Sequence, residues 1–399
     1  MDLISILTRA VEAGASDVHF KLGQPPVMRY DGDLEPMPDL SPVMESDLQE
    51  ILDEITQMTP KRRDLFEETG DLDTAFSYPS LPRFRVNGFR QRGATSFAFR
   101  IIPSQIPNFE QLHLPPGIQR LAEEYRGLIL VTGPTGSGKT TTLASMLDFI
   151  NRNRRQHIVT IEDPIEILHP DRGCIVNQRE VGLDTESFQQ GMRRVLRQDP
   201  DIILIGELRD TETAHTALQA AESGHLVFST LHTLDSAESI GRMIEFFAPE
   251  KQQQIRSILA ATLRGIVSQR LLPRAEGGRV PAVEIMVANA RIEDLIRENR
   301  TDEITDAIAE GEYYDMQTFQ QSLIDLVLRG EIDRDVAANA ATNKHDFLVA
   351  YEQALKEKLA DEREREVAES QRVAPASKLR LGQGEAPAPP LKPLGSHLR

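Results

Sequence analysis

Residues 133–140 read GPTGSGKT, a complete G-x-x-x-x-G-K-[ST] phosphate-binding loop. Its spacing defines its chemistry. Gly133, Gly136 and Gly138, with Pro134, Thr135 and Ser137 between them, let the backbone wrap its N–H groups around phosphate oxygens. Lys139 supplies a cation for the β- and γ-phosphates. The Thr140 hydroxyl is a ligand for Mg²⁺, and Thr141 follows it into the first helical turn. The flanks agree: LILVT before the loop reads as a strand and TTLASMLDFI after it as a helix, whose N-terminus adds positive potential for an anion. ATP with Mg²⁺ is the ligand this pattern implies.

Three further stretches carry polar groups at the ends of apolar runs. In DIILIGELRD (201–210) the run Ile202–Ile205 meets Gly206 and then Glu207, where most P-loop ATPases have an aspartate. In TIEDPIE (160–166) a strand ends in Glu162 and Asp163, with Glu166 close behind. Strand C-termini line the ligand crevice of a doubly wound sheet. Glu162 or Asp163 could therefore hold Mg²⁺ or its water shell, while Glu207 orients and deprotonates the attacking water. The competing reading makes these acids caps or solvated surface groups. SGHLVFSTLHTLD brackets another strand with His225 and His232. A strand-end histidine can bond the γ-phosphate or bridge strands structurally. The structural role suits His225 better, and the functional one His232. Neither histidine has a third ligand at metal-binding spacing.

Positioning these groups requires alternating strands and helices from 128 to about 287, an α/β arrangement with a mostly parallel sheet covered by helices. Before it, residues 1–102 mix short helical and strand signals and read as a small α+β domain. DVHFKLG and PPVMRYDGDLEPM suggest strands turning at Asp31-Gly32, residues 45–69 look helical, and RFRVNGFRQRGATSFAFRII suggests two strands joined at Arg92-Gly93. Pro103, Pro107, Pro115 and Pro116 mark residues 103–117 as an extended linker. The ATPase-type region then occupies 118–288, and 289–357 reads as helical. In 358–399 a charged helical extension gives way to a Pro-, Gly- and Ala-rich tail expected to be disordered.

Composition narrows the class. The 399 residues carry a net charge of -17, which argues against sequence-independent nucleic-acid binding. The single cysteine, Cys174, rules out an internal disulfide and a four-cysteine zinc module. MDLISILTRAVEAG lacks the basic start and apolar run of a signal peptide and reads as an amphipathic helix through Leu3, Ile6, Leu7 and Ala10. No apolar stretch is long enough to span a membrane. These features suit the cytoplasm.

In order, GPTGSGKTT, TIEDPIE, DPDIILIGELRD and SGHLVFSTLHT resemble the four marks of the secretion-type hexameric ATPases: a P-loop, an acidic "Asp box", a Walker B strand ending in Gly-Glu, and a "His box". Within that family the chain is most similar to the type IV pilus retraction motors, over about residues 1–350. The resemblance implies a PAS-like N-terminal domain, a RecA-like core and a homo-hexamer. It makes Glu207 the catalytic carboxylate, so the missing aspartate is normal for the family. It also implies that Arg85 and Arg100 reach the γ-phosphate, with Arg92 a weaker candidate. An inner-membrane pilus platform protein and a paralogous retraction ATPase are the implied partners, at the cytoplasmic face of the inner membrane. Assembly and type II secretion ATPases usually carry a four-cysteine insertion that this chain lacks. The helix ARIEDLIRENR (290–300) takes the place of a retraction-motor motif close to A-I-R-N-L-I-R-E, with Glu293 and Asp294 departing from it. That departure keeps an accessory retraction ATPase as an alternative. From a different class, a nucleotide-gated scaffold without turnover is the other.

Overall fold

The N-terminal chain builds a six-stranded sheet in the order β3-β2-β1-β6-β5-β4, from β1 (Asp17–Lys21), β2 (Val27–Tyr30), β3 (Asp33–Pro36), β4 (Asp71–Phe76), β5 (Phe84–Gln91) and β6 (Ala94–Ile101). All of its neighbours pair antiparallel. In this computed structural model the described residues are 1–30, 32–102, 105–373 and Ala388, with side chains in the last helix described to Arg365. Most of the expected tail therefore lies outside the described residues. Helices α1 (Leu3–Glu12), α2 (Glu45–Thr56) and α3 (Pro60–Thr69) belong to the same region. Leu3, Ile6, Leu7 and Ala10 are the buried face of α1, and Asp2 caps it by accepting the Ser5 N–H at 3.1 Å. The helical stretch expected over 45–69 is two helices, because Pro60 opens a new one at its N1 position. Phe20, Phe84, Phe97 and Phe99 fill a core distinct from that of the following region.

After α4 (Pro116–Ala122) the chain alternates through β7 (Gly127–Thr132), α5 (Lys139–Asn153), β8 (His157–Glu162), β9 (Ile175–Glu180), α6 (Phe188–Val195), β10 (Ile202–Ile205), α7 (Thr211–Glu222), β11 (Leu226–Leu231), α8 (Ser236–Glu245), α9 (Pro249–Thr262), β12 (Leu263–Pro273) and β13 (Arg279–Val287). The seven strands order as β13-β12-β7-β11-β10-β8-β9, and only the β12–β13 pair is antiparallel. Every residue of β7, β10 and β11 is buried. That is why these strands are near-continuous runs of Ile, Leu and Val: a parallel sheet covered on both faces leaves no polar side. Helices α10 (Ala290–Arg297), α11 (Ile304–Ala309), α12 (Phe319–Leu328) and α13 (Arg334–Ala340) follow. Residues 1–344 form one compact unit. The second begins at His345, within α14 (Lys344–Val373), whose described outer turns are charged and exposed. Among the described residues, no helix is long and apolar enough to cross a membrane.

Candidate functional site

Sheet order turns four distant segments into neighbours. Strands β7, β11, β10 and β8 lie side by side and run parallel. Their C-terminal ends therefore present, in a row, the phosphate loop, His232, Glu207 and the Glu162–Asp163 pair. This is the edge where a doubly wound sheet binds its ligand.

The phosphate loop leaves β7 through Gly133 and enters α5 after Gly138. At Gly133 φ is +139°, and an added Cβ would stand 2.3 Å from the Gln269 carbonyl oxygen. Gly138 has φ +90° and would meet the Gln269 amide nitrogen at 2.8 Å. Both positions need glycine for conformation and for space. The Ser137 hydroxyl is buried without a hydrogen-bond partner, a free polar atom inside the cradle. Lys139 Nζ donates to the carbonyls of Gly133 (2.8 Å) and Pro134 (3.0 Å). Burial pushes the Lys139 ammonium below its usual range, while the charges of Glu207 and Glu166 oppose that shift. The lysine thus lies within electrostatic reach of acids from two other strand ends. A glycine cradle, a free buried hydroxyl and a lysine flanked by carboxylates suit a nucleotide's phosphates with their metal. Among the described residues, no cluster of three His, Cys, Asp or Glu could hold a metal alone.

Glu207 forms an ion pair with Arg209 and meets His232 Nε2 at 3.3 Å. Its side chain is largely buried, whereas both partners are exposed. His232, Arg209 and Thr233 line an open cavity of about 590 Å³ beside it. Glu162 is held differently. It accepts from Thr160 Oγ1 at 2.6 Å and Gln178 Nε2 at 3.0 Å, and burial pushes its carboxyl above the usual range. Asp163 is exposed and lines a smaller cavity of about 220 Å³ with Arg62, Asp73, Thr74 and Arg85.

His225 is not brought to this cluster. It precedes β11 while His232 follows it, and six strand residues put roughly 20 Å between the two ends. There its Nδ1 lies 3.0 Å from both the Ala220 carbonyl and Ser223 Oγ, at the end of α7. Arg85 and Arg100 pair across β5 and β6. Arg85 lies 4.0 Å from Glu166 and 3.9 Å from Asp73, and so faces the acidic loop of its own chain. Arg100 is mostly exposed and bonds Asp17 Oδ1 at 3.0 Å, within the N-terminal sheet.

The family model for type II/IV secretion system proteins matches residues 2–357. The chain belongs to that family. Within it, "Type IV pilus retractation ATPase PilT" of Pseudomonas aeruginosa is 44% identical, over 87% of this chain and 100% of its own length. The type IV pilus ATPase PilU of the same organism is 38% identical over 87% of this chain and 90% of its own. A crystal structure of the pilus retraction motor PilT with bound ADP superposes with a TM-score of 0.80 at 44% identity, covering 87% of this chain and 98% of that one. The α/β architecture with a mixed, mostly parallel sheet matches that structure.

This secretion-family chain also uses residues that sequence reasoning missed. Gln269 on β12 donates from Nε2 to the Ser137 carbonyl at 2.6 Å and accepts from Thr142 Oγ1 at 2.9 Å, bracing the second half of the phosphate loop and the first turn of α5. The available signal was a glutamine inside the apolar run GIVSQRLL, where a buried amide demands partners. Arg209, two residues past Glu207, and the group formed by Arg62, Arg83 and Glu180 were also missed.

Proposed function

We propose that this protein is an ATP-hydrolysing, Mg²⁺-dependent ring motor, a homo-hexamer that powers type IV pilus retraction. The observation that carries the reading is the convergence of the phosphate loop, Glu207 and His232 on one sheet edge, in a chain that matches a retraction motor over that relative's whole length. The identity to PilT exceeds that to PilU, which favours the main motor over the accessory one. In this reading residues 118–288 are a RecA-like P-loop ATPase core, residues 1–102 a PAS-like domain, 103–117 the linker between them and 289–357 a helical region.

The chain's own groups do the following. N–H groups of residues 133–138 hold phosphate oxygens, and Lys139 turns from its carbonyl partners toward the β/γ oxygens. Thr140, with Thr141 beside it, would hold Mg²⁺, and Glu162 or Asp163 would hold the ion or its water shell. The metal neutralises charge on the phosphates when bound. Glu207 positions the attacking water and takes its proton, and His232 orients that carboxylate. Arg85 and Arg100 bring positive charge from the N-terminal sheet toward the γ-phosphate. His225 has a structural role. Partners are the inner-membrane platform protein and a paralogous ATPase, met at the cytoplasmic face, with no part for nucleic acid. The test is a strain lacking this protein, complemented with wild type or with Glu207→Gln. Pili that assemble but do not retract, rescued only by wild type, support the reading; normal retraction in the deletion strain refutes it.

A further inference from the structure

Glu180 closes β9 directly opposite Glu162 in the parallel register, and its side chain is wholly buried. One oxygen, Oε2, accepts the Ile165 N–H at 3.2 Å and also pairs with Arg83. The other, Oε1, lies 3.5 Å from Arg62 Nη1 and has no hydrogen bond of its own. Arg62 additionally donates to Thr74 Oγ1 and to the Val181 carbonyl, both at 3.0 Å. Both guanidiniums are largely shielded from solvent. One buried carboxylate therefore ties α3 and the lead-in to β5 to the middle of the loop 163–166. Asp163 and Glu166 lie in the same loop as the held residue, and Glu166 is, after Glu207, the second acid whose charge reaches Lys139.

Packing alone does not explain this choice. Buried charges of this kind are costly to desolvate, and apolar residues of similar volume often stabilise as well or better. What the charges add is a directional link between two regions that must act together on one nucleotide. We propose that Glu180 is a positioning residue for ATP hydrolysis, clamping the acidic loop 163–166 to Arg62 and Arg83 so that loop and N-terminal sheet move as one piece. The inference rests on the ATPase reading above. Glu180 acts through Asp163 and Glu166.

The test measures steady-state hydrolysis, affinity for a fluorescent ADP and thermal unfolding on the full chain. The variants are Glu180→Gln, Arg83→Gln, their combination, Arg83→Lys and Arg62→Lys. Misplacement of a reacting group by an ångström can cost on the order of 10²-fold. Glu180→Gln and Arg83→Gln should each lower kcat by about 10- to 100-fold, with KM and ADP affinity within about threefold. The double variant should be no worse than the single ones, because both break one link. Arg83→Lys should recover part of kcat. A folded Glu180→Gln with kcat within twofold of wild type overturns the proposal. So does a parallel fall of kcat, ADP affinity and melting temperature, which marks a merely structural cluster. Should Glu180→Gln not fold, unchanged kcat in both lysine variants overturns it. A wild-type chain that binds ADP but never hydrolyses ATP sinks the ATPase reading and this proposal together, whereas normal wild-type turnover with unaffected variants sinks only the latter.

Discussion

In the proposed motor, Glu207 is the side chain on which the chemistry turns. It is shielded from solvent, flanked by a cation on one side and an imidazole on the other, and set at the end of a wholly buried strand. Glu207→Gln keeps the shape and removes the carboxylate proposed as the base. Loss of a general base commonly costs on the order of 10²–10⁴-fold, or about 3–5 kcal/mol. Turnover should fall by that factor while ADP affinity stays near wild type, read by a phosphate-release assay beside a binding titration. Near-normal turnover would make Glu207 a structural acid. His169 yields a prediction of another kind. Burial drives its pKa down to about 4 from 6.5, and its Nδ1 is buried without a partner. The folded form keeps the ring neutral while the unfolded chain protonates below pH 6.5. Stability is therefore full above pH 6.5 and declines as pH falls toward 4, by at most about 3 kcal/mol from this residue. His169→Gln, neutral in both states, should show a shallower acid loss in urea unfolding between pH 7 and pH 4. Equal slopes would disprove the assignment.

At the scale of elements, the phosphate loop depends on a strand that is not its own. Gln269→Leu leaves the Ser137 carbonyl and Thr142 hydroxyl without their partner, at about 1–3 kcal/mol each. Melting temperature should drop and ADP affinity should weaken by about tenfold or more; unchanged affinity would mean that the loop holds its shape unaided. Helix α10 makes a complementary case. Ile292, Leu295 and Ile296 are its buried face, as the helical spacing of ARIEDLIRENR anticipates, while Glu293 and Asp294 both bond Arg297 at 2.8 Å on the outer side. Reversing Glu293 and Asp294 to lysine together with Arg297→Glu keeps opposite charges paired and inverts the exposed pattern. Hydrolysis should stay near normal while retraction in cells stops, if this helix couples the ring to the pilus machinery. Proportional loss of both would make it part of the ring's packing.

These elements also mark what a sequence can disclose. Strand, glycine loop and helix are written locally in LILVTGPTGSGKT, and the row of acids follows once the strands are taken as parallel. The break at Pro60 is local too, since a proline at N1 opens a second helix within the stretch 45–69 that reads as helical. Arg83 and Glu180, 97 residues apart, carry no local trace of each other. A charged residue in a half-exposed strand looks solvated until the fold buries it. The two histidines are a different case: both flank one strand, and chain direction alone sets His232 at the C-terminal edge and His225 at the far end.

At the scale of the whole molecule, the N-terminal sheet faces the acidic loop through Arg85. In the proposed motor this contact adds charge stabilisation during turnover more than affinity before it. Arg85→Ala should then lower kcat by about 10³-fold or more, the range of an arginine acting on a transferring phosphoryl group, with ADP affinity changed little. Arg100→Ala, starting from a surface pair with Asp17, tests whether the second arginine joins it. Normal turnover in both folded variants would confine the site to the core region.

The brace between Gln269 and the Ser137 carbonyl spans 132 residues of chain. During synthesis the entire GPTGSGKT motif leaves the ribosome long before its support exists. Strand β7 likewise waits for both of its sheet neighbours, β11 and β12, which come later in the chain. Such distant pairings form slowly, because a long loop must close before any contact rewards it. A fragment ending at residue 260 would carry every signature residue of the motif but lack both strand β12 and the Gln269 brace.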